Sequence, residues 1–410
     1  MSLIVQKYGG SSLATPKLIE NVASRIAASH DNDGPLVATV SAMGDSTDDL
    51  LSFASQISEN PEPRELDVLL STGELQSCAL VAMALNTMGK DAVSLSGAQA
   101  GIHTDSRFGR AKIATLDTVR IEEELDRGNI VIVAGFQGIT SQMDTTTLGR
   151  GASDLTAVAL AAALNADRCE VYTDVDGIYT ADPRLVPNAR KLDEIGFEEM
   201  LELASYGAKM NPRSIELGMA YNVPIVVASS FGITPGTVIH EGADMDLEVG
   251  EIRNRVRGIA TDKNVAKITV HSVVDRPGIA ASLFKPLSDA DISVDVIVQN
   301  ASVSGTTDLT FTVSVTDLRR AMDVIDQISE ELGIQNVSSS QGLAKVSIVG
   351  TGMQDSPGYA STMFTALASS DINIEMITTS EIRITCIVSE GSAGEAARTL
   401  HNAFHLDEPS

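Results

Sequence analysis

At 410 residues and 43% hydrophobic, the chain is long enough for more than one core, and at ~100–200 residues per domain it should hold two or three domains. Its 29 Lys+Arg against 55 Asp+Glu leave a net charge of −26, which repels nucleic-acid phosphates and anionic membrane surfaces and argues against both as partners. The same field repels a phosphorylated ligand, so a nucleotide site here has to gather cations and amide dipoles locally.

Leu3-Ile4-Val5-Gln6-Lys7-Tyr8 reads as a first strand, and Gly9-Gly10-Ser11-Ser12 turns it toward a helix starting near Thr15-Pro16. Lys7 therefore stands at a strand's carboxyl end, where open α/β sheets collect ligands, beside glycines and hydroxyls suited to a phosphate. No Walker-type phosphate loop occurs, since Gly89-Lys90 is followed by Asp91. The grammar repeats: Leu36 to Val40 is a strand, Ser41-Ala42-Met43-Gly44 a turn, and Asp45 to Ile57, with Thr47 in its opening, a helical stretch. Leu69-Leu70-Ser71-Thr72-Gly73-Glu74 precedes a helix predicted from Leu75 to Met88 and closed by Gly89. Glu74 is thus expected near a helix start, where dipole compensation alone would also explain an acid. Ala92 to Leu95 is a further strand.

The centre of the chain runs from the buried-strand pattern Ile130-Val131-Ile132-Val133-Ala134 through Gly135-Phe136-Gln137-Gly138 to Thr145-Thr146-Thr147-Leu148-Gly149-Arg150-Gly151-Ala152-Ser153-Asp154. An alanine- and leucine-rich helix follows, from Leu155 to Leu164, which Ser153 or Asp154 is expected to cap. Glycines flanking Arg150 let the backbone approach a ligand, while helix-start amides and one guanidinium converge on negative charge. A loop that merely caps a helix has the same spacing, so other stretches must decide.

Cys169 to Asp174 is a strand ending in polar residues, and Val175 to Arg184 a structured loop rich in aspartate. Lys209 and Arg213 form a second basic cluster at the end of a predicted helix, where compensation of its dipole is an alternative explanation. Pro224 to Val227 and Thr237 to His240 are the last strands before an acidic, aperiodic linker around Gly242 to Gly250. Beyond it the chain repeats. Ala266-Lys267-Ile268-Thr269-Val270 matches Ala344-Lys345-Val346-Ser347-Ile348, Pro277-Gly278 matches Pro357-Gly358, and Asp291-Ile292 matches Asp371-Ile372, at offsets of 78 to 80 residues. Each copy reads β-α-β-β-α-β, a ferredoxin-like unit ending in a strand.

Cys78, Cys169 and Cys386 lie apart in apolar contexts, so a reduced, cytoplasmic protein is expected. His401 and His405 have the i, i+4 spacing of a metal pair but no third ligand nearby, and no metal site is expected from them. Without a basic leader after Met1 or an apolar run approaching ~18 residues, neither secretion nor a membrane span is expected.

Taken together, Lys7-Tyr8-Gly9-Gly10-Ser11-Ser12, Ser41-Ala42-Met43-Gly44, Gly73-Glu74 and Thr146 to Asp154 resemble the four ordered motifs of aspartate kinases in the amino-acid-kinase superfamily. Thr173-Asp174 and Tyr179 to Arg184 are similar to the ATP-binding segment of that family, and the two repeats to its ACT modules. The resemblance implies an α/β/α sandwich of amino-acid-kinase type over residues 1–241, a linker over 242–256, and ACT modules over 257–341 and 342–410. It implies transfer of a phosphoryl group from Mg-ATP to the side-chain carboxylate of L-aspartate, with feedback inhibition by lysine, threonine or both and homo-oligomers formed through the ACT modules. Lys7 would bridge the transferring group and Asp154 orient the reactants. Arg150 would grip the substrate's α-carboxylate, Glu74 its ammonium, and Ser41, Thr47 and Ser153 would hydrogen-bond it. Lys7, Tyr8, Gly9, Gly10, Thr173, Asp174, Tyr179, Asp182, Arg184 and Lys209 would surround the nucleotide, with magnesium entering as part of it.

In the repeats, Asp275, Pro277, Gly278, Ile279, Ala280, Asp295 and Gln299 of the first copy, with Asn373, Ile374, Ser380 and Glu381 of the second, are the expected effector residues. Proline-glycine turns that open helices leave N–H groups for a carboxylate, and Asp275 and Asp295 are placed to take an ammonium. Ala152, where the family usually has glycine, the short Met210-Asn211-Pro212 stretch and Ala228 depart from the pattern. Two other functions fit part of the chain: an acid kinase acting on a glutamate derivative, and a non-catalytic amino-acid sensor. Glu74 with Arg150 argues for a free amino acid, and intact Lys7 and Asp154 argue for catalysis.

Overall fold

The computed structural model describes residues 3–205, 210–242, 256–299, 305–334, 336–353 and 357–408. Their contacts form two compact units. The first holds residues up to 178, 191–205 and 210–242; the second holds 179–190 and the described residues from 256 onward. The span 1–241 expected as one domain is therefore interrupted, because Tyr179–Arg190 packs with the second unit. Of the expected linker, residues 243–255 lie outside the described ones.

In the first unit the order is β1 (Ile4–Tyr8), α1 (Pro16–Asp33), β2 (Leu36–Val40), α2 (Ser46–Ile57), α3 (Pro63–Thr87), β3 (Ala92–Leu95), β4 (Ile102–Thr104), β5 (Ile113–Leu116), α4 (Val119–Asp126), β6 (Ile130–Ala134), β7 (Gln137–Ile139), β8 (Thr145–Thr147), α5 (Ser153–Ala163), β9 (Arg168–Thr173), β10 (Glu194–Gly196), α6 (Phe197–Ser205), α7 (Pro212–Tyr221), β11 (Ile225–Ser229) and β12 (Thr237–His240). The main sheet runs β10-β12-β11-β9-β1-β2-β6-β3, parallel except where β11 meets β12. β1, β2 and β6 are buried at every residue, as expected of parallel strands covered on both faces. α1 and α3 pack on one face over Tyr8, Leu36, Ala38, Val40, Ile130 and Ile132, while α5 packs on β1, β2 and β9. α1 begins as its sequence dictates, with Pro16 in its first turn and the Thr15 hydroxyl accepting the Leu18 N–H.

The register places Tyr8 beside Val40 and Tyr172, and Val40 beside Ala134, so four strands end level at their carboxyl ends. A smaller sheet, β5-β4-β7-β8, carries β8 toward α5. The helix predicted from Leu75 instead begins at Pro63 and includes Glu74 in its interior. Gly73 resembles a turn signal in sequence; in the fold it is a mid-helix glycine at a close approach, since a Cβ there would lie 2.9 Å from that of Ala42. Among the described residues α3 is also the one helix long and apolar enough, by length and composition, to cross a membrane; half of that stretch is buried within the protein, and Asp67 and Glu74 on it are buried too.

The second unit is built on a six-stranded antiparallel sheet. Its elements are β13 (Gly258–Val274), α8 (Ile279–Asp289), β14 (Ile297–Gln299), β15 (Thr306–Val313), α9 (Leu318–Leu332), β16 (Asn336–Val349), α10 (Tyr359–Ser369), β17 (Met376–Thr379), β18 (Arg383–Ser389) and α11 (Ala393–Ala403), with sheet order β14-β15-β13-β16-β18-β17. β13 and β16 serve both repeats. Ala266–Val274 pairs with β15 and with Asn336–Ser340, whereas Gly258–Asp262 pairs with Lys345–Val349. The second copy therefore does not close with a strand of its own after α11. Gly258–Asp262 fills that place, so the first repeat is inserted into the second, and the expected boundary between residues 341 and 342 falls inside β16. Separate apolar cores lie under α8 with α9 and under α10 with α11; the latter takes in Ala181 and Val186 from the Tyr179–Arg190 loop.

Candidate active site

The level strand ends bring the glycine turns of the sequence together. Gly10 packs on the Ser41–Gly44 turn, where a Cβ would come within 2.7 Å of the Ala42 carbonyl oxygen, and Gly44 donates to the Gly10 carbonyl at 3.0 Å. Ser41 donates its N–H to the Tyr8 carbonyl at 3.0 Å. Gly135 leaves room for Ser153, whose Cβ would be 2.8 Å from an added methyl group. Lys7 Nζ lies 2.8 Å from Asp154 Oδ1, and each side chain is about a tenth exposed. The two meet as a close ion pair rather than an aligned hydrogen bond.

That pairing corrects the expected cap of α5. Ala152 occupies the cap position without a side-chain hydrogen bond, and Ser153 and Asp154 are the first helical residues. Asp154 is drawn to Lys7 instead, while its place in the first turn is still favourable to the dipole. Ala152 has φ −80°, so replacing glycine there costs no backbone strain. Gly149 and Gly151, at φ 95° and 76°, do need glycine.

Glu74 is 3% exposed. One carboxylate oxygen accepts the Ala42 N–H at 3.2 Å, and the other is buried with no hydrogen-bond partner. Burial raises its pKa to about 7 against the opposing pull of backbone N–H groups. A buried acceptor left open is costly unless something fills it. Arg150 stands out from the loop, its side chain 77% exposed and paired with the Asp48 carboxylate of α2. Thr47, next to Asp48 in the first turn of α2, is half-buried.

On the nucleotide side, Thr173 donates its hydroxyl to Asp174 at 3.1 Å, and its carbonyl accepts both the N–H and the hydroxyl of Ser230, which also accepts the hydroxyl of Ser12. This ties the first glycine turn to the end of β9. Tyr8 contributes no ring to a ligand: it is fully buried, stacked on Tyr172, and donates to Gln6. Tyr179, Asp182 and Arg184 belong to the second unit, where Arg184 and Asp182 pair with two hydrogen bonds to the carboxylate from Nε and one at 2.7 Å from Nη2. The structure therefore does not group these three with Lys7 and Thr173 in one unit. Lys209 lies outside the described residues.

Two residues were misjudged or missed from sequence. Arg213 is at the start of α7, not at a helix end, so dipole compensation does not explain it. Asp67, hidden in the polar opening of α3, is 1% exposed and accepts hydrogen bonds from Gly109 and Thr147. The only available signal was its position seven residues, two helical turns, before Glu74.

Among the expected effector residues, the glycine turns form as read: Gly278 and Gly358 open α8 and α10 with φ 93° and 121°. Ile279 is in the core of the first module. Asp295 is already paired with Lys345 of the other repeat. The matching pair, Lys267 with Glu375, closes at 2.8 Å, and Asn373 also hydrogen-bonds Glu375. Gln299 is exposed at the end of β14, and the Ser380 hydroxyl oxygen is buried without a partner. Asp275 donates its N–H to the Gly305 carbonyl at 2.9 Å, Ala280 lies in the first turn of α8, Ile374 packs against the core of the second module, and Glu381 is in the bend between β17 and β18. His401 is buried against Thr180 at 2.9 Å while His405 is exposed, and no group of three or more metal-ligating side chains occurs among the described residues.

Residues 2–229 match the model of the amino acid kinase family, and 268–328 and 346–404 match that of the ACT domain. The chain belongs to the amino acid kinase family, with regulatory ACT domains attached. The aspartokinase of Corynebacterium glutamicum is 50% identical over 410 residues, covering 99% of this chain and 97% of that relative. That of Pseudomonas aeruginosa is 47% identical, covering 100% and 99%. Among solved structures, E. coli aspartokinase III in complex with aspartate and ADP superposes with a TM-score of 0.83 at 26% identity, over 98% of this chain and 100% of that one. Within its family the protein is an aspartate kinase, an enzyme that phosphorylates aspartate with ATP and a divalent metal ion.

Proposed function

We propose that the enzyme transfers the γ-phosphoryl group of Mg-ATP to the side-chain carboxylate of L-aspartate, giving 4-phospho-L-aspartate as the first step toward lysine, threonine and methionine. The observation that supports this substrate is Glu74, a buried carboxylate with one oxygen open. An α-ammonium fills it; an N-acylated glutamate derivative offers no such charge. Arg150 exchanges Asp48 for the substrate's α-carboxylate, and Ser41, Thr47 and Ser153 hydrogen-bond the same molecule. The acceptor carboxylate, with a pKa of roughly 4, is already ionised at neutral pH and needs no general base. Positioning and charge neutralisation remain. Lys7 neutralises the transferring phosphoryl group, and Asp154 fixes Lys7. Thr173, Asp174 and the glycine-turn amides at Gly9 and Gly10 receive the nucleotide. Magnesium fits this donor set as a partner of the phosphates, with oxygens from ATP and water rather than a protein cage.

Two E. coli aspartokinase III structures hold aspartate with ADP and aspartate with lysine. By analogy, lysine, threonine or both bind this chain's ACT modules, with Gln299, Asp275 and the Gly278 turn as contacts, in a homo-oligomer formed through those modules in the cytoplasm. A coupled assay of ATP consumption across free amino acids tests the reading. Aspartate alone should support turnover, and Arg150→Ala should raise its KM about a hundredfold with the KM for ATP little changed. Loss of ATP affinity instead would mean that the two ligands are placed the wrong way round.

A further inference from the structure

The Arg150 side chain is mostly exposed and paired with Asp48 of α2, while the loop that carries it is held separately. In the backbone just before Arg150, Thr147 and Leu148 have every main-chain group held. Thr147 donates its N–H to Asp67 Oδ2 at 2.8 Å and its carbonyl accepts the Ala111 N–H at 2.9 Å. Leu148 donates to the Phe136 carbonyl at 2.8 Å, and its own carbonyl accepts from Arg213 Nη1 at 2.7 Å. Two charged side chains thus close the set. Asp67 also accepts the Thr147 hydroxyl at 2.7 Å and the Gly109 N–H on both oxygens at 2.9 and 3.0 Å. Arg213 also donates Nη2 to the Ala111 carbonyl at 3.2 Å. Each side chain therefore straps the β8 strand end to the Gly109–Ala111 segment, one from α3 and one from α7.

Helix stability does not account for Arg213, since a cation in the first turn of a helix opposes the dipole. Its site uses two nitrogens of one planar fork, one on each carbonyl, a fixed spacing that the single nitrogen of an ammonium does not reproduce. Asp67 has a geometric consequence as well. It and Glu74 are seven residues apart on α3, two turns along one face and ~10 Å apart at 1.5 Å per residue. The same rigid helix thus carries the acceptor for the substrate's ammonium and the anchor of the loop that grips its carboxylate.

We propose that Asp67 and Arg213 are positioning residues for aspartate: by fixing Thr147 and Leu148 they set where Gly149 and Gly151 launch Arg150, and α3 sets its distance from Glu74. This rests on the assignment of Arg150 to the α-carboxylate made above. The effect is confined to one substrate, because neither residue touches the Lys7–Asp154 pair or the Thr173 end.

The test is steady-state kinetics on the full-length enzyme with Asp67→Ala and Arg213→Lys, alone and in the Arg150→Ala background. Each single variant should raise the KM for aspartate about tenfold and move that for ATP less than about twofold. In the Arg150→Ala background the same changes should add less than about twofold, because groups acting through one another are not additive. Equal effects in both backgrounds, or parallel rises in both KM values, would mark the two as general structural residues and overturn the proposal. If Arg150→Ala raises the aspartate KM and neither single variant does, the strap alone falls. If Arg150→Ala leaves that KM unchanged, the assignment of Arg150 falls and the strap with it. Should Asp67→Ala fail to fold, Arg213→Lys, which keeps the charge, carries the same comparison.

Discussion

The acidic residues of the two units meet opposite fates. In the catalytic unit Glu74 is buried with one oxygen open and its pKa pushed up to about 7. In the regulatory unit Asp295, expected from sequence to receive an amino acid's ammonium, and Glu375, which follows the Asn373-Ile374 stretch of the other repeat, are already paired with Lys345 and Lys267. The lysines occupy matching positions of the two repeats and each reaches the acid of the other, so these pairs hold the modules together. An acid beside a turn is therefore no sign of a ligand site. A buried acid with unmet hydrogen-bonding capacity is, because folding alone gives no reason to tolerate the cost.

The catalytic half of that contrast breaks first at Lys7. Lys7→Ala should lower kcat by a factor of about a hundred to a thousand, as when one charge-stabilising donor is removed, with a smaller change in the KM for aspartate. Asp154→Ala should behave alike, since the pair acts as a unit. A folded Lys7→Ala enzyme with normal kcat would remove the pair from the chemistry.

Glu74 sharpens the contrast through pH. Binding an ammonium requires the carboxylate, but below about pH 7 the ligand-free group is protonated. The KM for aspartate should therefore rise as pH falls through 7, approaching tenfold per unit. Its stability linkage has the opposite sense. With the folded pKa above the ordinary 4.5, its contribution is complete below 4.5 and is lost as pH rises through 7. Glu74→Gln should abolish both trends, and a Gln variant with the wild-type pH profile would assign the titration elsewhere.

How much of this was legible in sequence depends on range. The strand β6 was readable as an uninterrupted buried apolar run, β1, β2 and β3 as short stretches with β-branched residues, each ended by turn residues, and the repeat because repeats copy themselves. The Lys7, Glu74, Arg150 and Asp154 set was visible only as ordered motifs. Gly73 misplaced the start of α3, since a glycine needed for helix packing looks the same as one needed for a turn. Asp67 and Arg213 were illegible because, apart from the Thr147 hydroxyl, their partners are main-chain groups 42 to 102 residues away in sequence, which carry no side-chain signature. The closing strand of the second repeat was missed for a related reason: Gly258–Asp262 precedes the first repeat, and only the sheet register assigns it to the second.

The smallest effects should appear at the two reciprocal pairs, and they should differ from one another. Lys345 is 8% exposed and Lys267 20%, while Asp295 and Glu375 are 45% and 39% exposed. Removing Asp295 takes the carboxylate from the more buried ammonium, so Asp295→Asn should lower thermal stability by about 1–3 kcal/mol and resist added salt. Glu375→Gln removes the partner of a more solvated lysine and should cost less than about 1 kcal/mol, most of it erased in 1 M salt. The Lys267 ammonium, through its hydrogen bond and charge, lowers the Glu375 pKa from 4.5. That stabilisation is therefore present above pH 4.5 and lost as pH falls through the folded value, where wild type and Glu375→Gln should converge. Thermal melts of both variants against pH and salt check the order. If Asp295→Asn leaves stability unchanged while lysine or threonine no longer inhibits, Asp295 belongs with the effector after all, and its pairing with Lys345 is one that the ligand displaces.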